Sequence, residues 1–397
     1  MLRSLKKTGI RTPDGDRGFW VMEQKAGNVN WQDVNALVRP GVLRMFTYQL
    51  ISRGADAILF FRWRQPRFGT EKFHGAVLPH NLESGSRRVF DEIARIGEEL
   101  KVLTPVLKDT KVSADVCILY SHDNEWALSQ ANQPSKLFSL REHIQLIYNS
   151  LHDRNILVDF ARPSEDLSKY KIVFAPSLHL VSGSDADRLK LFVQNGGTLI
   201  STFNTGLVDE NDIAPTTGFP HDLTDLFGLE VQDFDVLPAN EDNLLTFKGA
   251  FQTSHMHPAR IWCDLINPKG CQVLATFGKD FYAGKPAITM NPFGLGKAIY
   301  IGTQSHQHFY HDLVAWLRQM TGLHPLLKVP ENIEVAMRQK DGARVYFLLN
   351  HQPTPVRIQF YKPMHDFLTG QNIVANYDLP PHGVLVIDEH PDVKSAG

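Results

Sequence analysis

Residues 19–31 read FWVMEQKAGNVNW, an apolar run that ends in the carboxylate of Glu23 and leads through a glycine turn to Trp31. The run FWVME is typical of a short buried β-strand. Burying a charged group without a partner costs several kcal/mol, so such a strand needs either a partner for Glu23 or a use for its charge. The residues around Glu23 must show which of the two applies.

The flanking segments alternate between helix and strand patterns. LRSLKKTG (2–9) predicts the end of a helix closed by glycine, and RPGVLRMFTYQLISRG (39–54) predicts a helix with a glycine stop. AILFFRW (57–63) is rich in β-forming residues, and SRRVFDEIARIGEELKVL (86–103) predicts an amphipathic helix. This order predicts a parallel sheet covered by helices, a pattern that ends at Thr104–Pro105.

A second α/β unit follows. Strands are predicted at ADVCILY (114–120), ILVDF (156–160), KIVFAPS (171–177) and TLIST (198–202), and helices at 137–155, 184–197 and 305–322. The alternation predicts an open, doubly wound sheet that resembles the amidotransferase-like fold. Residues 205–300 are expected to be less regular.

The last part of the chain predicts a small antiparallel β-domain. IEVAMRQ (333–339), ARVYFLLNH (343–351), TPVRIQF (354–360) and GVLVIDE (383–389) are short strands separated by turns such as KDGA. We therefore expect three domains, at residues 1–106, 107–326 and 327–397.

Composition limits the partners. The formal charge of −2 and the pI near 6.8 give no electrostatic basis for binding nucleic acid or an anionic membrane. The three cysteines form no CxxC pair, no signal-peptide core is evident, and no stretch of about 18 apolar residues occurs. These observations predict a cytoplasmic protein without a cofactor or membrane span.

A candidate site follows from the strand ends. Glu23 lies at the carboxyl end of one predicted strand and Phe61 at the end of the next, with Trp31, Glu71 and His74 in the loops beyond. Carboxylates, an imidazole and aromatic faces are the groups that sugar chemistry needs, and α/β folds place sites at this edge. The structural alternatives remain open: a solvated Glu23, a Trp31 that caps a core, a structural His74, and an ion network of Arg62 and Arg64 with Glu71.

Several blocks resemble glycoside hydrolase family 42, the microbial β-galactosidases. They are FWVMEQKAGNVNW, ADAILFFRWRQPRFGTEKFHGAVL, SHDNEWAL, NGGTLISTFNTGLVDENDIAP and FPHDLTDLFGLEV. The resemblance implies a β-galactosidase that cleaves terminal β-galactosides with retention in a (β/α)8 barrel, followed by a trimerisation domain and a C-terminal β-domain. It further implies that Glu23 is the nucleophile, that Trp31, Phe61, Glu71 and His74 line the galactose pocket, and that the protein is a homotrimer.

This chain also differs from the family that it resembles, because most of the barrel is missing from its sequence. The acid/base glutamate of the family belongs to an earlier barrel strand, and a barrel of about 250 residues cannot be built from the first 106. We therefore expect the last two βα units of a barrel, a truncated chain in which Met1 is an internal methionine of a longer protein, and little or no activity of the chain alone. A separate chain with the N-terminal barrel and a non-catalytic assembly or carbohydrate-binding remnant are the alternatives.

Other motifs favour structural roles. Cys117 lies within an apolar strand and is expected to be an inert core thiol. Pro176–Ser177 stands where a nucleophile elbow would lie, without a cysteine or GxSxG. The segment SHQHFYHD holds His306, His308 and His311, yet it favours a helix start with polar caps over a metal site.

Overall fold

The computed structural model describes residues 3–4, 18–83 and 85–389. The chain forms two compact units, one of Met1–Ser113 with Pro325–Gly397 and one of Ala114–His324. The helix end expected at residues 2–9 lies largely outside the described residues.

The N-terminal part of the first unit alternates strands and helices as predicted. Its elements are β1 (Phe19–Lys25), α1 (Val42–Ser52), β2 (Ala55–Phe61), a 3-10 turn (Thr70–Phe73) and α2 (Arg88–Leu107). β1 and β2 pair in parallel. α2 continues past the break expected at Thr104–Pro105, because Pro105 falls in its last turn and the flanking Leu103 and Leu107 are buried. Their burial offsets the hydrogen bond that proline cannot donate.

The prediction that FWVME is a buried strand is wrong. Of β1 only Phe19 is buried, whereas Trp20 is 61% and Met22 66% exposed. Among the described residues, β1 pairs with β2 alone. A strand with one neighbour leaves an edge and much of its faces in contact with solvent.

The rest of the first unit is antiparallel, as expected for the C-terminal domain. The strands are β14 (Ile333–Lys340), β15 (Ala343–Asn350), β16 (Val356–Gln359), β17 (Met364–Asp366), β18 (Asn372–Ile373), β19 (Asn376–Leu379) and β20 (Val384–Glu389). They form a sheet in the order β14-β15-β20-β17-β18 and a second pair, β16-β19. Asp341 and Gly342 join β14 to β15, and both have positive φ, as a two-residue hairpin turn requires.

One hydrophobic core joins the two parts of this unit. Met45, Tyr48 and Ile51 of α1 pack with Leu103 of α2 and with the inner faces of β14, β15 and β20. The helices that follow β1 and β2 in the chain therefore bury their apolar sides against the C-terminal sheet.

The second unit is built on a mixed sheet. Its strands are β3 (Val116–Leu119), β4 (Val158–Ala161), β5 (Ile172–Ala175), β6 (Thr198–Thr202), β7 (Leu229–Val236), β8 (Asn243–Phe247), β9 (His257–Pro268), β10 (Gln272–Phe277), β11 (Pro286–Phe293), β12 (Gly296–Ile301) and β13 (Thr303–Gln304). Its helices are α3 (His122–Leu128), α4 (Leu140–His152), α5 (Gly183–Gln194), α6 (Thr224–Phe227) and α7 (Gln307–Thr321).

Strands β4-β3-β5-β6-β12 are parallel neighbours in that order. Alternate residues of these strands belong to two cores. Ile118 and Phe174 pack with Leu313 of α7 on one face, whereas Val173 packs with Leu189 of α5 on the other. Helices thus cover both faces, the arrangement of an open α/β sheet.

Two features of this unit differ from expectation. Residues 205–300 were expected to be less regular, but they form the antiparallel strands β7 to β11 and most of β12. The Gly, Pro and Asp residues that suggested irregularity lie mainly at turns between these strands, as at Asp280 and Gly284, which have positive φ. Helix α3 was also not predicted, because it has only seven residues.

Candidate active site

Glu23 lies near the carboxyl end of β1, at the edge that β1 shares with β2. Lys25, two residues further, pairs with Phe61, the last residue of β2. A register shift falls between Val21 and Gln24, so Glu23 occupies an irregularity in the ladder. Because the strands are parallel, the loops that follow them meet at the same edge.

The Glu23 carboxylate is exposed, so the sequence expectation of a buried charge is wrong for this residue. Among the described residues, none forms a hydrogen bond or ion pair with it. The desolvation cost inferred from the sequence therefore does not arise, and the carboxylate is accessible to a ligand.

Three of the predicted residues form one aromatic cluster. His74 is 3% exposed, and the Trp31 ring stacks on it with centroids 5.2 Å apart and an interplanar angle of 27°. Phe61 meets the same imidazole edge-on at 5.7 Å. His74 Nδ1 lies 2.8 Å from the Gly75 carbonyl oxygen, which can only accept, so Nδ1 carries the proton. Trp31 itself is 65% exposed and presents a flat apolar face.

Backbone contacts between the loops that follow β1 and β2 hold this cluster. Gly75 N donates to Asn28 O at 2.7 Å, and the Asn30 side chain donates to Thr70 O at 2.8 Å. A Cβ on Gly75 would lie 2.8 Å from Gly27 Cα, so both glycines are needed for the close approach. The glycine turn in the opening sequence thus brings Trp31 next to His74.

Glu71 is exposed and forms an ion pair with Arg62, whose guanidinium also lies 5.1 Å from the centroid of Phe61. The peptide between Phe61 and Arg62 is cis. Of the ion network considered from the sequence, the structure shows the Arg62–Glu71 pair. Glu71 is therefore connected to the aromatic cluster through Arg62.

A shallow depression of about 520 Å³ lies on the same loops. It is lined by Asn28, Gln65, Arg67, Lys72, Phe73 and His80. None of these residues was expected at the site from the sequence. Their position in the two loops that carry Trp31, Glu71 and His74 was the signal that could have identified them.

The alternative sites considered in the second unit have structural surroundings. Cys117 is fully buried, as predicted. Ser177 has a positive φ of 43° at the end of β5, but its side chain is also fully buried and is not available as a nucleophile. Helix α7 begins directly after His306, yet the His306 side chain makes no capping hydrogen bond. Within the described part of the chain, no helix has the length and apolarity needed to cross a bilayer.

Comparison with known families gives consistent matches along the chain. The β-galactosidase family model matches residues 4–103, the β-galactosidase trimerisation-domain model residues 114–324, and the β-galactosidase C-terminal-domain model residues 332–389. The trimerisation-domain match alone covers more than half of the 397 residues.

Individual relatives agree. The chain is 36% identical to β-galactosidase BgaB of Geobacillus sp. (strain Y412MC61) over 99% of its own length and 56% of BgaB. It is similar to the crystal structure of β-galactosidase from Bacillus circulans sp. alkalophilus, with a TM-score of 0.89 and 34% identity over 94% of this chain and 56% of that one. The β-galactosidase from Rahnella sp. R3 gives a TM-score of 0.86 at 30% identity, over 94% and 55% of the two chains.

The chain thus spans little more than half the length of these relatives. The matches nevertheless cover both compact units and nearly every described residue, and the family expected from the sequence is confirmed. This protein belongs to glycoside hydrolase family 42, the β-galactosidase family.

Proposed function

We propose that this chain contributes the nucleophile side of a retaining β-galactosidase site. Glu23 is the nucleophile, and Trp31, Phe61, Glu71 and His74 contact the galactose unit. The observation that carries the proposal is the shared edge: the exposed Glu23 carboxylate near the end of β1, with the Trp31–His74–Phe61 cluster on the adjoining loops.

The chemistry assigns each group a role. A Glu23 oxygen attacks the anomeric carbon, the glycosidic C–O bond breaks, and the leaving oxygen takes a proton from an acid about 5 to 5.5 Å from the nucleophile. Water then attacks the glycosyl-enzyme, releasing galactose and restoring the carboxylate. The open face of Trp31 suits stacking against a sugar ring, and Glu71 and Arg62 suit hydrogen bonds to hydroxyl groups.

The acid/base group belongs, by family resemblance, to a barrel strand outside these 397 residues. We therefore propose that β1 to α2 are the last two βα units of a (β/α)8 barrel, and that the chain by itself hydrolyses natural galactosides poorly or not at all. The remaining barrel strands come from further residues of the same polypeptide or from a separate chain. The exposed Trp20 and Met22 support this proposal, because neighbouring barrel strands would cover them.

The domain and assembly expectations remain proposals as well. We propose domains at residues 1–106, 107–326 and 327–397, with a doubly wound second domain that forms a homotrimer. The match of residues 114–324 to a trimerisation-domain model supports the assembly. Sedimentation of the purified chain tests it, and a strict monomer at micromolar concentration would contradict it.

Covalent labelling tests the nucleophile without requiring the missing acid. A 2-deoxy-2-fluoro-β-galactoside with a dinitrophenolate leaving group needs no proton donor and traps the glycosyl-enzyme. We expect the label on the peptide that contains Glu23, loss of labelling in Glu23→Gln, and unchanged labelling in Glu98→Gln, a control with an exposed glutamate on α2. Labelling of another carboxylate would refute the assignment.

Activity of the chain alone tests the fragment proposal separately. We expect negligible lactose hydrolysis by the purified chain, and a gain when the N-terminal barrel segment of a relative is co-expressed. If the chain alone hydrolyses lactose and Glu23→Gln abolishes that activity, the assignment of Glu23 as nucleophile stands but the fragment proposal is overturned.

A further inference from the structure

Three ligand-type side chains of the second unit converge at a place that the proposed galactosidase chemistry does not use. His255 lies just before β9, His257 is its first residue, and Asp312 is in the second turn of α7. Asp312 Oδ2 lies 2.8 Å from His255 Nδ1 and 2.9 Å from His257 Nε2. One potential ligand atom from each of the three residues thus lies within 4.8 Å of the other two.

These distances are close to those of a coordination shell. In a tetrahedral site with metal–nitrogen and metal–oxygen bonds of about 2.0 to 2.2 Å, neighbouring ligand atoms lie about 3.3 to 3.6 Å apart. Moving the observed hydrogen-bonded pairs apart by about half an ångström produces that spacing. A metal ion would take the place of the two imidazole protons that now point at Asp312.

The surroundings fix one ligand and leave another accessible. The His257 side chain is fully buried, with Phe247 and Phe309 edge-on to its ring at 5.6 Å each. Its Nδ1 has no hydrogen-bond partner among the described residues, so its polar contact is made through Nε2 to Asp312. His255 is 65% exposed and leaves a route from solvent to the cluster.

A residue outside the triad orients the Asp312 carboxylate. Thr253 Oγ1 donates to Asp312 Oδ2 at 2.7 Å and holds that carboxylate from outside the triad.

The helix offers one additional candidate ligand. His308 precedes Asp312 by four residues on α7, so the two lie on the same helix face, and His308 is exposed. From the sequence, the segment SHQHFYHD favoured a helix start over a metal site. His255 and His257, more than fifty residues before Asp312 in the chain, add potential ligands that this segment lacks.

We propose that His255, His257 and Asp312 bind one divalent transition-metal ion of the zinc type, with the fourth position taken by water or His308. Two imidazoles and a carboxylate suit zinc better than magnesium or calcium, which prefer all-oxygen ligands. The ion joins the start of β9 to α7. It stabilises the second unit, because an ion that binds the folded form shifts the unfolding equilibrium.

Metal titration of the full chain tests the proposal. After removal of metals with a chelator, we expect calorimetry to show one Zn²⁺ bound per chain and a raised Tm. We expect Co²⁺ to give the strong visible absorption of four-coordinate cobalt. Asp312→Asn, which keeps the size of the side chain, should weaken binding by on the order of 100-fold, and so should His255→Ala, which alters an exposed residue and leaves the fold intact.

His324→Ala is the matched control, since His324 is an exposed histidine of the same unit outside the cluster. It should bind zinc as the parent chain does. The proposal is overturned if the parent chain shows no saturable binding, because the triad is then a hydrogen-bonded cluster only. It is equally overturned if His255→Ala and Asp312→Asn bind zinc as tightly as the control, because the metal then sits elsewhere.

Discussion

Two of the parallel strand pairs among the described residues, β1–β2 and β3–β5, lie in different environments. In the second unit, every residue of β3 and β5 is buried. In the first unit, β1 and β2 each have a single buried residue, Phe19 and Ala55. All four strands are mostly apolar and each is followed by a helix, so the sequence predicted burial for both pairs.

The difference lies in the number of neighbours. β3 and β5 lie inside a sheet with strands on both sides and helices on both faces. Among the described residues, β1 pairs with β2 alone, and the helix α1 packs mainly against the C-terminal sheet. Apolar composition therefore predicts that a strand forms, whereas burial depends on what packs against it.

The largest expected effect comes from the core of the second unit. Phe174 on β5 is 1% exposed, and Phe174→Ala should lower the free energy of unfolding by about 3 to 5 kcal/mol. Urea unfolding measures the loss, and hydrogen exchange of peptides from β3 to β6 assigns it to the second unit. A loss below about 1 kcal/mol would show that the sheet around β5 is loosely packed, contrary to the full burial of β3 and β5.

Asp264 is a buried carboxylate, in contrast to the exposed Glu23. Burial raises the pKa of Asp264 from 3.8 to about 6, although Trp262 Nε1 and Tyr300 Oη both donate to it at 2.7 Å. Because this pKa is above that of the unfolded chain, the folded form binds the proton more tightly. The resulting stability is present below about pH 4 and is lost as the pH rises through 6, by up to about 3 kcal/mol.

Asp264→Asn should remove this part of the pH dependence, as measured by urea unfolding between pH 4 and 8. Asp233→Asn is the control, because Asp233 is exposed and lines a small cavity that Asp264 also lines. Parallel pH curves for Asp264→Asn and the parent chain would argue against a buried, titrating Asp264.

In the first unit, we expect substitutions to lower the free energy of unfolding most where α1 packs against the C-terminal sheet. Arg53 at the end of α1 pairs with the buried Glu334 of β14 at 2.6 Å, and Gln49 and His351 also donate to that carboxylate. Arg53→Ala should cost about 2 kcal/mol, because it leaves a buried charge with weaker compensation.

The surface pair Arg357–Asp378 provides the control for this measurement. Both of its side chains are more than half exposed, so Arg357→Ala should cost much less stability than Arg53→Ala. Equal losses for the two variants in urea unfolding would mean that the Arg53–Glu334 pair is not desolvated.

The smallest effect is expected on β1. Trp20 is 61% exposed, so Trp20→Ser should change the free energy of unfolding of the purified chain by less than about 0.5 kcal/mol. The same urea experiment measures it. A loss above about 2 kcal/mol would show that this face is covered in solution, and the contrast between the two strand pairs would then fail.

The candidate site was predictable in part. The strand ends placed Glu23 and Phe61 at one edge, because parallel strands share their carboxyl edge, and the family resemblance added roles for Trp31, Glu71 and His74. The stacking of Trp31 on His74 was not predictable. It depends on the approach of two loops at Gly27 and Gly75, residues 48 positions apart in the chain.

The sequence alone was enough to predict most helices and strands outside residues 205–300, the mixed α/β class with its small antiparallel domain, and the family. Local periodicity and short motifs carry that information, because they depend on neighbours in the chain. The tertiary structure was needed to show that most of FWVME is not buried, that Glu23 needs no buried partner, and that Asp312 lies next to His255 and His257. Burial and side-chain convergence arise from contacts between distant segments, which no local pattern records.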